Sequence, residues 1–397
     1  MTFCMAQRHF AYRNLARAVL AQGGAGLLSI LLIAGPALAQ TNPAPNAPVP
    51  AVAVAAPASA AAPRAWITVP RLKGRLHAAD IGLVINTADP YSVAVGEHYI
   101  AARRLTPAQV LRLALPVRGT LRHEEFEALR AAVAAHFGAA TQALALAWTA
   151  PYAVECNSIT GALALGFDAE LCRQSCMASR PSSYFNSPSS RPLTEHGFRP
   201  SMLLAAPGIA EAKALIDRGV AADGSLVLRG GPPVSALLLG TDDAARSVRK
   251  ALYPPPGLLR AVGVDVRIAP SSELAAARRV VLAITGSERV ALDPAPDWVP
   301  GALADHLTSA GGDLSGQHAQ STVLAWIASG ATASHGAVSE PCNHLQKFPH
   351  PQVLLLNYLQ GSTAIEAYWK SVAWPQQSLF VGEPLAAPFA RSPALTP

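Results

Sequence analysis

The chain is short of the features that would give its chemistry away. Only 14% of its residues are charged and 6% are aromatic. Neither G-x-G-x-x-G nor G-x-x-x-x-G-K-[ST] follows any strand-like run, which disfavours nucleotide chemistry. No H-E-x-x-H, C-x2-C or G-x-S-x-G pattern occurs either, so neither a standard metal centre nor a serine-hydrolase elbow is written in the sequence. No metal and no cofactor is therefore expected. The basic residues are scattered mostly as single arginines, which gives no concentrated face for nucleic acid. No apolar run after residue 40 is long enough to cross a membrane.

What is present begins with an export signal. Arg8, Arg13 and Arg17 precede an apolar run from about Gly24 to Ala34, and Ala37-Leu38-Ala39 supplies an A-x-A cleavage site. Residues 1–39 are thus expected to be removed. Of 31 Lys+Arg three lie in that leader, leaving 28 against 25 Asp+Glu, a net charge near +3. Residues 40–78, dominated early by Ala and Pro, read as a disordered tether, because such a composition cannot offset its ordering entropy. The location implied is exported, periplasmic or extracellular.

From 79 to 389 the sequence reads as a single α/β domain with possible halves 79–200 and 201–389, followed by a tail at 390–397. Apolar runs at 81–87, 111–117, 143–152, 201–206, 235–240, 264–269 and 280–286 have strand length. Helix-like stretches at 92–104, 123–137, 208–220, about 242–253 and 272–278 alternate with them, and 351–372 reads as one long helix. That alternation predicts a mostly parallel, doubly wound sheet. Residues 176–199 are rich in Ser, Pro, Arg and Asn without hydrophobic period, so they read as a long loop. Cys156, Cys172, Cys176 and Cys342 remain after cleavage. In an oxidising compartment they are disulfide candidates with three possible connectivities, and Cys172 and Cys176 at the loop base suggest a disulfide-tied excursion.

Candidate site residues come from two sources. Ligand sites in open α/β sheets lie beyond the carboxyl ends of strands, which nominates Asn86, Asp89, Asp305, Thr308 and Ser309 for ligand binding. The alternative for 305–312 is a helix end stopped by glycine. The second source is 330–350, which packs Ser334, His335, Glu340, Cys342 and His344 into a short stretch. His335, Cys342 and Glu340 supply the types of a base, a nucleophile and an orienting acid, and Ser334 joins the ligand-binding set.

Three blocks, VINTADPYSVAVGEHYIAARR, PGALADHLTSAGGDL and SGATASHGAVSEPCNHLQKFP, together with the closing EAYWKSV and LFVGEPLAAPF, resemble an uncharacterised family of exported bacterial proteins found with the exosortase sorting system. The resemblance implies an export and envelope or exopolysaccharide setting; in that setting a peptide or glycan is the partner expected, at a face formed by Asp305 to Gly312 and Ser334 to Cys342. A more distant likeness is to gingipain/caspase-like cysteine peptidases, which share a parallel α/β core. Those enzymes place His-Gly at one strand end and Cys at a later one. Here Thr285-Gly286 and Thr308-Ser309 stand in those places, and His335-Gly336 comes later. The function expected is envelope-associated binding; the alternative is a divergent peptidase using His335.

Overall fold

The computed structural model describes residues 64–227 and 230–391. The expected export signal, the first part of the expected tether and most of the tail lie outside the described residues. Residues 64–77, expected in the tether, instead run extended along the domain. Trp66, Ile67 and Leu76 give this segment apolar surface to bury, and Gln352, Gln360 and Glu366 accept from the Ile67, Leu72 and Leu76 amides at 2.8–3.1 Å. The folded body therefore starts about fifteen residues earlier than composition suggests.

Runs apolar at every position are strands covered on both faces, and they build an eleven-stranded sheet. In chain order come β1 (Ile81–Asn86), α1 (Pro90–Arg103), β2 (Val110–Leu113), β3 (Thr120–Leu121), α2 (His123–His136) and β4 (Ala143–Leu146). The middle of the chain adds β5 (Ala153–Val154), β6 (Asn157–Ser158), α3 (Ile159–Leu165), α4 (Ala169–Arg173), α5 (Pro192–His196), β7 (Ser201–Leu203), α6 (Ile209–Ala222) and β8 (Val234–Gly240). Then follow β9 (Gly257–Leu259), β10 (Val264–Pro270), β11 (Val280–Thr285), β12 (Trp298–His306), α7 (Val323–Ser329), β13 (Ala333–Ala337), α8 (Pro351–Leu359), α9 (Ala364–Ser371) and β14 (Ser378–Gly382).

The spatial order is β2-β1-β4-β7-β14-β13-β12-β11-β8-β10-β9, with β3, β5 and β6 in a separate small sheet. Within the large sheet neighbours are parallel except β13–β14 and β9–β10. Because β14 is parallel to β7 and antiparallel to β13, the sheet has two halves that run in opposite directions. Leaving out the antiparallel edge strand β9, each half has its first four strands in the order 2-1-3-4: β2-β1-β4-β7 and β10-β8-β11-β12. The mostly parallel α/β class is as expected, and the halves meet where β14, the last strand among the described residues, lies against β13, which ties them into one sheet.

Local signals account for many boundaries. Asp89 accepts from the Tyr91 amide at 2.9 Å and Pro90 opens α1, so the Asp-Pro pair is a helix cap. Thr363 and Glu366 form a capping box on α9. Elsewhere the structure differs from expectation. The stretch 351–372 is two helices, because Gly361 adopts φ +96° between α8 and α9. The helix expected from 242 is a 3-10 segment, Arg246–Leu252, and the one expected at 272–278 is a single 3-10 turn, Ser271–Glu273. Residues 301–306 form the inner part of strand β12, buried at every position.

The four cysteines pair as Cys156–Cys172 and Cys176–Cys342. The second pair ties the loop after Cys176 to the segment following β13. No helix among the described residues is long and apolar enough to cross a membrane.

Candidate functional site

The opposed directions of the two half-sheets separate the nominated residues. Asn86 and Asp89 lie at the carboxyl end of β1. Five strand spacings divide β1 from β12, roughly 24 Å, and the two strands point opposite ways. Both residues are spent locally: the Asn86 side chain accepts from the Ala88 and Leu115 amides, and Asp89 caps α1. Asp305, Thr308, Ser309, His335, Glu340 and Cys342 do gather, at or near the carboxyl ends of β12 and β13.

Asp305 and His335 are register partners, so their side chains share a face of the sheet. His335 Nδ1 lies 3.0 Å from Asp305 Oδ1, and His335 Nε2 lies 2.9 Å from Ser378 Oγ on the neighbouring β14. Arg249, in the 3-10 segment after β8, donates to Asp305 Oδ2 and, at 2.9 Å, to the Thr285 carbonyl. Arg249, Asp305, His335 and Ser378 thus form one polar chain across strand ends contributed by β11, β12, β13 and β14. All four residues are no more than 1% exposed. Phe348 covers the chain, its ring 6.0 Å from that of His335 and 5.7 Å from the Arg249 guanidinium.

The charges balance. Burial alone would raise the Asp305 carboxyl, but the Arg249 charge, and after it the hydrogen bond from His335, hold it below its ordinary value. An ionised Asp305 accepts a hydrogen bond from the N–H that His335 carries on Nδ1. Ser378 has a single proton and two acceptors in reach, His335 Nε2 at 2.9 Å and the Lys347 carbonyl at 3.3 Å. The set has the connectivity of a hydrolase triad, but it lacks solvent.

His306, the next residue of β12, is satisfied differently. Its Nδ1 accepts from Trp326 Nε1 at 2.9 Å, so its proton sits on Nε2, which donates to the Ser321 carbonyl at 2.8 Å. Burial lowers its basicity, and the ring is a neutral strut.

An open cavity of about 440 Å³ lies just beyond the strand ends, lined by Arg246, Thr308, Ser309, Glu340, Cys342 and Asn343 among others. Thr308 donates to Gln320 Oε1 at 2.7 Å, and that same oxygen accepts from the Ala310 amide at 2.9 Å. Glu340 Oε1 accepts from the Cys342 amide at 2.7 Å, and Arg246 pairs with Asp243 at 2.5 Å. The rim depends on a close backbone crossing: a Cβ on Gly336 would collide with the Gly311–Gly312 backbone. Lys347 lies behind the wall, its ammonium donating to the Ser175 carbonyl at 2.6 Å; burial lowers it to about 8, with Glu340 opposing.

The sulfur of Cys342 is bonded to Cys176, so it offers no thiolate, and both His335 ring nitrogens are directed elsewhere. Ser334 is wholly buried with no hydrogen-bond partner for its hydroxyl among the described residues. His344 packs against Trp374 and His350 caps α8, and among the described residues no three His, Cys, Asp or Glu side chains group as a metal site. The late aromatics serve the core: Tyr358 and Tyr368 donate to the Gly301 and Ala304 carbonyls of β12 at 2.5 and 2.8 Å, and Trp369 to that of Ser201 at 3.0 Å. Arg249, Arg246, Gln320 and Ser378 are absent from the sequence-derived candidates, since nothing local sets them apart.

No family model and no curated protein matches this chain. A solved structure described as "Structure of Protease" aligns with 81% of this chain and 82% of its own, at 11% identity and a TM-score of 0.40.

Proposed function

We propose that this is an exported, envelope-associated binding protein, and that the cavity beyond β12 and β13 receives a segment of peptide or glycan. One observation carries the reading. The open, polar space lies at the strand carboxyl ends, where α/β sheets take ligands, while the reactive side chains beside it are sealed under Phe348. Arg246, Thr308, Ser309 and Asn343 offer mixed donors and acceptors suited to hydroxyls or amides. Two disulfides suit an oxidising compartment. The resemblance to exported proteins of exosortase-bearing bacteria supports a partner from that sorting or exopolysaccharide setting.

The test is a thermal-shift screen of the full chain against defined peptides and defined oligosaccharides, followed by titration of the hits. Ser309→Trp, which fills the cavity, is expected to abolish binding. Hits unaffected by Ser309→Trp, Arg246→Ala and Asn343→Ala contradict the reading.

A second reading, a divergent caspase/gingipain-like hydrolase using His335, is favoured by the Asp305–His335–Ser378 geometry. In it Ser378, not a cysteine, is the nucleophile, and the Lys347–Phe348 segment must lift to admit substrate. Peptide cleavage lost in both Ser378→Ala and His335→Gln supports it. Cleavage that survives both variants, or no cleavage by the parent chain, removes it.

A further inference from the structure

A second cavity, of about 550 Å³, lies where the extended 64–77 segment crosses the end of α8 and the residues after β14. Tyr358, near that end of α8, donates to Gly301 on the amino-terminal side of β12. The cavity therefore sits by the opposite edge of the half-sheet from the one described above.

Its walls are cationic. Arg71 and Arg75 come from the extended segment, spaced so that the chain can present both, and Arg391 comes from the far end of the folded body. Among the described residues none of the three has a carboxylate partner, and no Asp or Glu lines the cavity. Arg75 donates to His77 Nδ1 at 3.3 Å, which leaves the His77 proton on Nε2 as a further donor. The position of these groups is fixed: Gln360 accepts from the Leu72 amide at 3.1 Å and donates to the Pro70 carbonyl at 3.2 Å. The floor is shaped by Gly361, whose φ of +96° disfavours any side chain and where a Cβ would sit tightly, 3.3 Å from the Ala390 backbone.

Three guanidiniums sharing one concavity with no counter-charge among the described residues repel one another, and low-dielectric walls focus their field outward. Guanidinium forks match the oxygen pairs of carboxylate and phosphate. The volume falls within the range of small-molecule sites and exceeds what one oxyanion fills. We propose that this cavity binds a ligand bearing oxyanion groups, carboxylate or phosphate, and that Arg71, Arg75 and Arg391 hold it.

The experiment is isothermal titration of the full chain with inorganic phosphate, with tetragalacturonate and with neutral maltotetraose, at low and high salt. Binding of phosphate or of tetragalacturonate, weakened by salt and absent for maltotetraose, is the expected result. Which acid binds more tightly tells a phosphorylated source from an acidic saccharide. Arg71→Ala/Arg391→Ala should weaken binding roughly tenfold or more, since each removes a charged hydrogen-bond donor. The proposal is overturned if neither acid binds at millimolar concentration, if maltotetraose binds equally well, or if the double variant binds like the parent. Should the double variant unfold, the acid-against-neutral comparison on the parent chain still decides.

Discussion

The Arg249–Asp305 pair offers the sharpest energetic test of the structure. Arg249 is 1% exposed and Asp305 is 0% exposed, and their partners are each other, His335 and the Thr285 and Pro349 carbonyls. Removing one member strands the other's charge in the core, which costs about 3–5 kcal/mol. Arg249→Met leaves an anion with only His335 to answer it. Asp305→Asn leaves a guanidinium facing an amide donor. Against a total stability of roughly 5–15 kcal/mol, either single change should leave a marginal protein. The double variant Arg249→Met/Asp305→Asn removes both charges, while the introduced amide oxygen still accepts from His335. It should recover most of the loss: a double variant costing about 1–2 kcal/mol, against singles that sum to about 6–10, gives a coupling energy of about 4 kcal/mol or more. Urea unfolding followed by tryptophan fluorescence reports this, because Trp148, Trp326 and Trp369 are all fully buried. Single variants costing less than about 1 kcal/mol, or a double variant no better than the worse single, would refute a buried pair here.

Further outcomes follow from the same contacts. The native Asp305 carboxyl sits below its ordinary value of 3.8, so its stabilisation is complete above that pH and is lost as pH falls through the lower native value; Asp305→Asn should remove this part of the acid transition in a pH series of urea melts. Burial holds His306 below 6.5, so the unfolded chain binds the extra proton and stability should begin to fall below that pH; His306→Gln should flatten the slope between pH 7 and 5. Replacing Cys176 and Cys342 by serine opens a link spanning 166 residues and should cost about 5 kcal/mol, against about 3 for Cys156 and Cys172, which span 16; matched denaturation curves in which the short link costs more would contradict this. Gly336→Ala drives a methyl into the Gly311–Gly312 backbone, so its melting temperature should drop by several degrees while Gly138→Ala, with open space around it, changes little.

Local chemistry makes much of the fold legible. Largely apolar runs such as 81–86 and 280–285, each closed by one polar residue, are strands in both sequence and structure, and the Asp89-Pro90 pair marks a true boundary. Composition misleads where tertiary packing outweighs propensity. Ala302, Leu303 and Ala304 favour a helix in isolation, yet they lie between β11 and β13, where small side chains let covering elements approach. A glycine such as Gly361 is tolerable inside a helix, but here its positive φ separates α8 from α9. The candidate site is half legible: Asp305 and His335 stand out by residue type, and strand-end logic finds Thr308 and Ser309. Arg249 and Ser378 are 56 and 43 residues from the partners they meet, and only the sheet order brings them together. The reversed direction of the first half-sheet, which moves Asn86 and Asp89 away, depends on where β14 inserts, and no local pattern encodes that.

Binding at the strand-end cavity, with the Asp305–His335–Ser378 chain beneath it sealed, stands or falls on whether Ser378 can be reached. Incubating the full chain with a fluorophosphonate and reading its intact mass tests this directly. A sealed chain gives no adduct on Ser378 in the native protein at neutral pH. A stoichiometric adduct on Ser378, lost in His335→Gln, would contradict it and make the chain a serine hydrolase.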